Sequence, residues 1–130
     1  MRSRSLAARR AAHERGLAAE RLCTLRLRLA GWRILARRYA TPAGEIDIVA
    51  KRGALIAFIE VKHRNDRRGV LEAISAHQRR RIENTATVFL SRHPNWRKLS
   101  FRFDLMVVTP WRWPCHLPDA WRPERSGAAI

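Results

Sequence analysis

Acidic residues, cysteines and long apolar runs are all scarce in this chain, and each scarcity narrows what it can be. Only 11 Asp and Glu stand against 27 Lys and Arg in 130 residues, a formal net charge of +16. An anionic polymer is therefore the favoured partner, nucleic acid first and DNA before RNA, because neutralising a polyanion releases its counterions. A solubilising basic surface is the plainer alternative. The two cysteines, Cys23 and Cys115, lie too far apart for a metal-type pair and supply no disulfide framework, so a reducing compartment is expected. No apolar run approaches the length of a membrane-spanning helix. The basic start, Met1-Arg2-Ser3-Arg4-Ser5, has no signal-peptide apolar region. The expectation is no membrane association, a cytoplasmic location, and residues 1–15 as a basic helix or a disordered lead into one. No repeat or linker divides the sequence, so residues 1–130 are expected to form one domain, with 46% hydrophobic residues to build its core.

Residues 5–30 lack proline and are rich in Ala, Leu and Arg, which predicts a long helix. Two apolar stripes run along it: Ala18, Leu22, Leu25 and Leu29, and Ala19, Cys23 and Leu27 with Glu20 beside them. A helix apolar on two sides is expected to be packed on both, and Gly31 ends it. Residues 32–39 read as a strand and 41–44 as a loop. Residues 45–51 and 55–62 read as a hairpin across Arg52-Gly53. Residues 65–69 are polar and expected to be mobile, with a short turn of helix at 71–74. Ser75-Ala76-His77-Gln78 matches a capping box and opens a second helix, which stops near Arg92, ahead of Pro94. Residues 101–109 alternate, with Phe101, Phe103, Leu105 and Val107 on one face and Arg102, Asp104, Met106 and Val108 on the other. The Trp- and Pro-rich tail, 110–130, is expected to be irregular. This order of elements predicts an α/β fold with a mixed sheet flanked by helices.

Within the hairpin, Gly44-Glu45-Ile46-Asp47-Ile48-Val49-Ala50 and Phe58-Ile59-Glu60-Val61-Lys62 place three carboxylates and a lysine in strands that otherwise read as buried. Side chains alternate along a strand, so Glu45 shares a face with Asp47, and Glu60 with Lys62. A turn at Arg52-Gly53 sets Glu45 opposite Glu60 and Asp47 diagonal to Glu60, with Ile46, Ile48, Ile59 and Val61 on the core face. Two carboxylates about 4 Å apart repel by roughly 4 kcal/mol at an effective dielectric near 20. An oxygen-rich cluster suits Mg²⁺ or Mn²⁺, and such an ion beside Lys62 has the parts for phosphodiester hydrolysis. An ordinary Glu60–Lys62 ion pair with a solvated Glu45 accounts for the residues equally well.

Arg37, Arg38, His63, Arg64, Arg67, Arg68, Arg79, Arg80 and Arg81 make a candidate cationic patch, since the guanidinium fork suits phosphate; each alone is also an ordinary surface charge. No groove-reading motif is present, so backbone or shape recognition is expected. His63 is a candidate general base. Trp96, Trp111, Trp113 and Trp121 are expected to cover the sheet edge, with stacking on unpaired bases as the alternative.

The two hairpin segments, extended through His63-Arg64, resemble the signature of the YraN-like family, small bacterial proteins grouped with endonucleases in the PD-(D/E)xK superfamily near the Holliday-junction resolvases. The resemblance also covers Gly16-Leu17-Ala18-Ala19-Glu20, Gly31-Trp32-Arg33-Ile34-Leu35 and Glu72-Ala73-Ile74 with Arg79-Arg80-Arg81. It continues through Arg102-Phe103-Asp104-Leu105 and His116-Leu117-Pro118-Asp119-Ala120-Trp121, nearly the whole chain from Gly16. It implies a restriction-endonuclease-like core and a metal-dependent endonuclease acting on structured or branched DNA in repair or recombination. It further implies Asp47, Glu60, Glu20 and the Val61 carbonyl as ligands of Mg²⁺ or Mn²⁺, and Lys62 as the catalytic lysine. Glu45 and Gln78 would support the site from behind. The proline of the superfamily name is missing before Asp47, and Gln78 stands where the family often has Lys or Arg. Resolving a junction takes two active sites, so a homodimer is the expected assembly for that substrate. A non-catalytic nucleic-acid-binding protein that keeps the fold is the alternative, and a basic scaffold protein, RNA- or ribosome-associated, is a third.

Overall fold

The computed structural model describes residues 5–124. Its elements run α1 (Leu6–Leu29), β1 (Arg33–Thr41), β2 (Gly44–Arg52), β3 (Leu55–His63), α2 (Ala76–Ser91), β4 (Ser100–Val108) and β5 (Cys115–Trp121). The five strands form one mixed sheet in chain order. β3 and β4 are parallel and every other neighbouring pair is antiparallel. A parallel pair needs a long crossover, and α2 supplies it. No helix among the described residues is long and apolar enough to cross a membrane.

The sheet is covered on both faces. Ile82, Ala86 and Phe89 of α2 pack on Val49, Ile56, Phe58, Phe103, Leu105 and Val107. Ala19, Cys23 and Leu27 of α1 pack on Ile48, Ala50, Ala57, Ile59, Met106 and Val108. β4 therefore follows its predicted alternation. α1 does not follow the two-sided expectation. Its Ala19 stripe is buried, but Leu25 is 47% and Leu29 72% exposed, because only the Ala19 side of the helix meets the sheet. Ser5 caps α1 through the Ala8 N–H, and Ser75 caps α2 through the Gln78 N–H.

Three further expectations change. The tail was expected to be irregular, yet Cys115–Trp121 forms β5 on the edge of the sheet, with Pro118 at the register shift between Leu105↔Leu117 and Phe103↔Trp121. Trp121 is 7% exposed and stacks on Phe103; residues 125–130 of the tail, like residues 1–4, lie outside the described part. Residues 71–74 hold a single hydrogen-bonded turn, from the Ala73 N–H to the Val70 carbonyl, rather than a turn of helix. The hairpin closes at Gly53-Ala54, since Arg52 pairs with Leu55, and Gly53 takes the φ of +61° that so tight a loop requires. This moves the register by two residues and keeps its parity. Continued, it would bring Asp47 level with Glu60 rather than diagonal to it.

Candidate active site

The β2–β3 ladder runs from Arg52↔Leu55 to Ile48↔Ile59 and goes no further. At the next position Asp47 takes over: its Oδ2 accepts the Val61 N–H at 2.7 Å. On the other side, β1–β2 pairing skips from Arg37↔Ile48 to Tyr39↔Ile46, and the intervening Arg38 has a left-handed φ of 51°. Such a backbone is uncommon for a residue other than glycine. The β2–β3 ladder thus ends at Asp47, while the β1–β2 register carries on past it. The consequence is visible in the core. Ile46 and Ile48 are two residues apart and should share a face, yet Ile46 packs with α2 and Ile48 with α1. The expectation of one common core face holds for Ile48, Ile59 and Val61 and fails for Ile46.

Asp47 consequently borders two cavities. One, about 410 Å³, opens toward α2 and is lined by Glu45, Asp47, Glu60, His77, Gln78 and Arg81. The other, about 170 Å³, opens toward α1, where Glu20, Arg38, Val61 and His63 meet Asp47 and Glu45. Gly44 lets β2 start hard against α2: a Cβ there would come 3.1 Å from Thr85 Oγ1 and 3.3 Å from Arg81.

The Asp47 and Glu60 carboxyl groups lie close enough to share a hydrogen bond. Burial, that bond and the charge of Asp47 together raise the Glu60 pKa from 4.5 to about 9. Lys62 and the Gln78 amide pull it down without reversing it. Gln78 Nε2 donates to Glu60 Oε2 at 3.0 Å, so the capping-box glutamine uses only its backbone for the cap and gives its side chain to the site. Glu20 faces Asp47 across the smaller cavity, from the α1 side. It is 8% exposed and accepts from Arg38 Nε at 2.9 Å. Among the described residues no three His, Cys, Asp or Glu side chains converge as a ready-made metal cluster. The expected three-carboxylate set is thus a close pair, Asp47 with Glu60, and a neighbour held by an arginine. Cys23, expected in the core, is fully buried, and burial with the charges of Asp47 and Glu20 pushes its thiol up to about 12 against the pull of Arg26.

The residues of the expected cationic patch line several openings, with Arg38 and His63 sharing the smaller Asp47 cavity. Arg37 and Arg38 line a groove of about 640 Å³ between α1 and β1, along with Arg21 and Arg28. On a helix so rich in arginine nothing in the sequence marks which ones face a groove. Arg64, Arg67 and Arg68 are exposed after β3, and Arg68 pairs loosely with Asp66 at 3.5 Å. Arg79, Arg80 and Arg81 are consecutive on a helix and so point different ways. Arg81 enters the Asp47–Glu60 cavity, while Arg79 and Arg80 border another beside Trp121. His77 also lines the Asp47–Glu60 cavity; it was legible only as a capping-box filler.

Asp104, which alternation placed on the α1 face, is fully buried. It accepts from Arg102 at 2.9 and 3.2 Å, bonds His116 Nε2 at 2.7 Å and accepts the Asp119 N–H at 2.9 Å. Burial alone would raise its pKa, but the bonds from His116, Arg102 and Asp119 outweigh burial and lower it. The segments 102–105 and 116–121 therefore meet in a β4–β5 lock on the α1 face of the sheet.

Residues 19–108 match the profile of the uncharacterised protein family UPF0102. A UPF0102 protein from Parvibaculum lavamentivorans is 50% identical over 113 residues, covering 87% of this chain and 85% of its own. One from Mesorhizobium japonicum is 47% identical over 120 residues, 92% and 96% of the two chains. Another, from Paramagnetospirillum magneticum, is 47% identical over 119 residues, 88% and 92%. The matched span contains Glu20, Asp47, Glu60, Lys62 and Gln78 together, and the chain belongs to the UPF0102 family.

Proposed function

We propose that this chain is a metal-dependent endonuclease with a restriction-endonuclease-like core, hydrolysing phosphodiester bonds in structured or branched DNA in the cytoplasm. The observation that carries the reading is the Asp47–Glu60 pair. Two carboxyl groups face each other where the β2–β3 ladder ends, in a cavity open to solvent, and beyond the Val61 N–H and the Gln78 amide their remaining oxygens are left for a ligand. The donor set fits Mg²⁺ or Mn²⁺, hard cations that accept one or two protein carboxylates and complete their shell with water and substrate phosphate. Asp47, Glu60 and the Val61 carbonyl would hold the ion, with Glu20 able to join on release from Arg38. When bound, such an ion neutralises phosphate charge and makes water more acidic.

The chain's own residues supply the rest. Gln78 orients Glu60 through its amide, and Glu45 adds negative charge at the cavity mouth. Lys62, two residues beyond Glu60 on the same face, offsets charge building on the phosphoryl oxygens. Arg81 and His77 line the path of the flanking phosphates. Hydrolysis adds water across one ester bond: the water oxygen joins phosphorus, an ester oxygen leaves, and a water proton ends on the leaving oxygen. The test is nicking of plasmid, single-stranded, flap and four-way-junction DNA with Mg²⁺ or Mn²⁺. Lys62→Ala and Asp47→Ala should each lose on the order of 10²-fold or more in rate; equal activity in both variants and the parent would sink the assignment. One observation favours the non-catalytic alternative: Glu20 is already engaged by Arg38. Salt-dependent DNA binding without cleavage of any substrate would support that alternative.

A further inference from the structure

Five tryptophans serve this chain, and they divide sharply. Trp32 is 3% and Trp121 7% exposed, and Trp96 stacks on Phe89 and His93. Trp111 is fully exposed and Trp113 47% exposed, contrary to the expectation that they cover the sheet edge. Trp111 also holds a left-handed φ of 63°. A bulky residue in that region is strained, and an indole left in water forgoes the stabilisation that burial gives. Two unfavourable features at one residue, with no packing in return, point to a ligand rather than to the fold.

The position of the loop, residues 109–114, says which ligand. β3 and β4 are parallel, with Lys62↔Val107 and His63↔Val108 in register. The loop therefore leaves the sheet at the end where Glu60 and Lys62 lie. Trp111 is four residues past Val107, at most about 14 Å of chain. Arg112 sits between the two indoles, and Arg64, bonded through its N–H to the Val108 carbonyl, starts the basic stretch with Arg67 and Arg68 alongside. Pro110 and Pro114 bracket the loop, and the Arg26 guanidinium donates to the Pro114 carbonyl. Exposed aromatic rings alternating with guanidinium groups on a stiff loop match a stacking surface for bases beside phosphates. Duplex DNA keeps its base faces hidden, so only unpaired bases can use it.

We propose that Trp111 and Trp113 are a stacking platform for unpaired nucleobases, and that the substrate has an unpaired segment within about four nucleotides of the hydrolysed phosphate, at ~3.4 Å per stacked base. The placement relative to the cut rests on the endonuclease reading above; the stacking does not.

The test is fluorescence anisotropy with the full chain at fixed salt, using labelled oligothymidine, a blunt duplex and a duplex with a four-nucleotide flap. The parent should prefer the unpaired and flap DNAs. Trp111→Ala and Trp113→Ala should each lose on the order of tenfold on those two and nothing on the blunt duplex, while Trp111→Phe keeps most of the affinity. Unchanged thermal melting of the variants excludes misfolding. Equal loss on all DNAs, or no loss on any, overturns the platform. So does loss of binding to phosphatidylserine vesicles with DNA affinity intact, which would assign the loop to a membrane surface. Metal-dependent nicking that survives while the tryptophans prove inert removes the platform and leaves the endonuclease; tryptophan-dependent binding without cleavage does the reverse.

Discussion

Asp104 and Glu60 stand on neighbouring parallel strands one register step apart, since Ile59 pairs with Asp104 and Glu60 with Leu105. They point to opposite faces and live under opposite electrostatics. Asp104 is surrounded by donors: a two-pronged arginine, a histidine and a backbone N–H. Its pKa is lowered despite burial. Glu60 meets another carboxyl and one amide, and its pKa is raised. A carboxylate satisfied by the chain holds the fold together, whereas one set against another carboxylate is left for something else to satisfy. Burial of an acid by itself does not separate these cases; its partners do.

The comparison can be broken by experiment. Asp104→Ala should be the most damaging change, on the order of 3–5 kcal/mol at neutral pH, because it strands Arg102 and His116 beside a buried gap; urea unfolding measures it, and a loss under ~1 kcal/mol would deny the lock. Next comes metal. Mn²⁺ at about 100 times its dissociation constant should stabilise the parent by about 2.7 kcal/mol, and chelation should remove the gain.

The pH dependence follows, with opposite signs at the two acids. Glu60 binds its proton more tightly folded than unfolded, so between about 4.5 and 9 the metal-free fold loses stability as pH rises. The slope is at most about 1.4 kcal/mol per pH unit, and Glu60→Gln should flatten it. The Asp104 contribution is present above its unfolded pKa and lost as pH falls through its lowered folded value. Smallest is Trp111→Gly, which relieves the left-handed backbone and should change stability by about +0.5 to +1 kcal/mol; a clear destabilisation would mean the indole packs after all.

Much of this architecture was legible in the sequence. The cap at Ser75, the alternation from Phe101 to Val108 and the shared face of Asp47 and Glu60 follow from short-range periodicity and turn chemistry, although the register that sets Asp47 level with Glu60 does not. The rest depended on long-range partners. β5 carries Pro118 and a left-handed Asp119 (φ 51°), and as an edge strand it shows no clean alternation. The crossing of Ile46 and Ile48 to opposite faces coincides with the left-handed Arg38 on the neighbouring strand, whose unusual backbone nothing in its neighbours announces. Glu20 was recognisable as a buried acid, but its arginine partner lies 18 residues away on another element.

The claim at the centre is that the Asp47–Glu60 pair is a cation site and the Asp104 cluster is not. Thermal melting of the parent, Asp47→Asn, Glu60→Gln and Asp104→Asn with and without Mn²⁺ tests it in one measurement. The account predicts a rise on the order of 10 °C in the parent. It predicts almost none in Asp47→Asn or Glu60→Gln, and a rise undiminished in Asp104→Asn even though that variant starts lower. The same Mn²⁺ increment in all four proteins, or none in the parent, would contradict it.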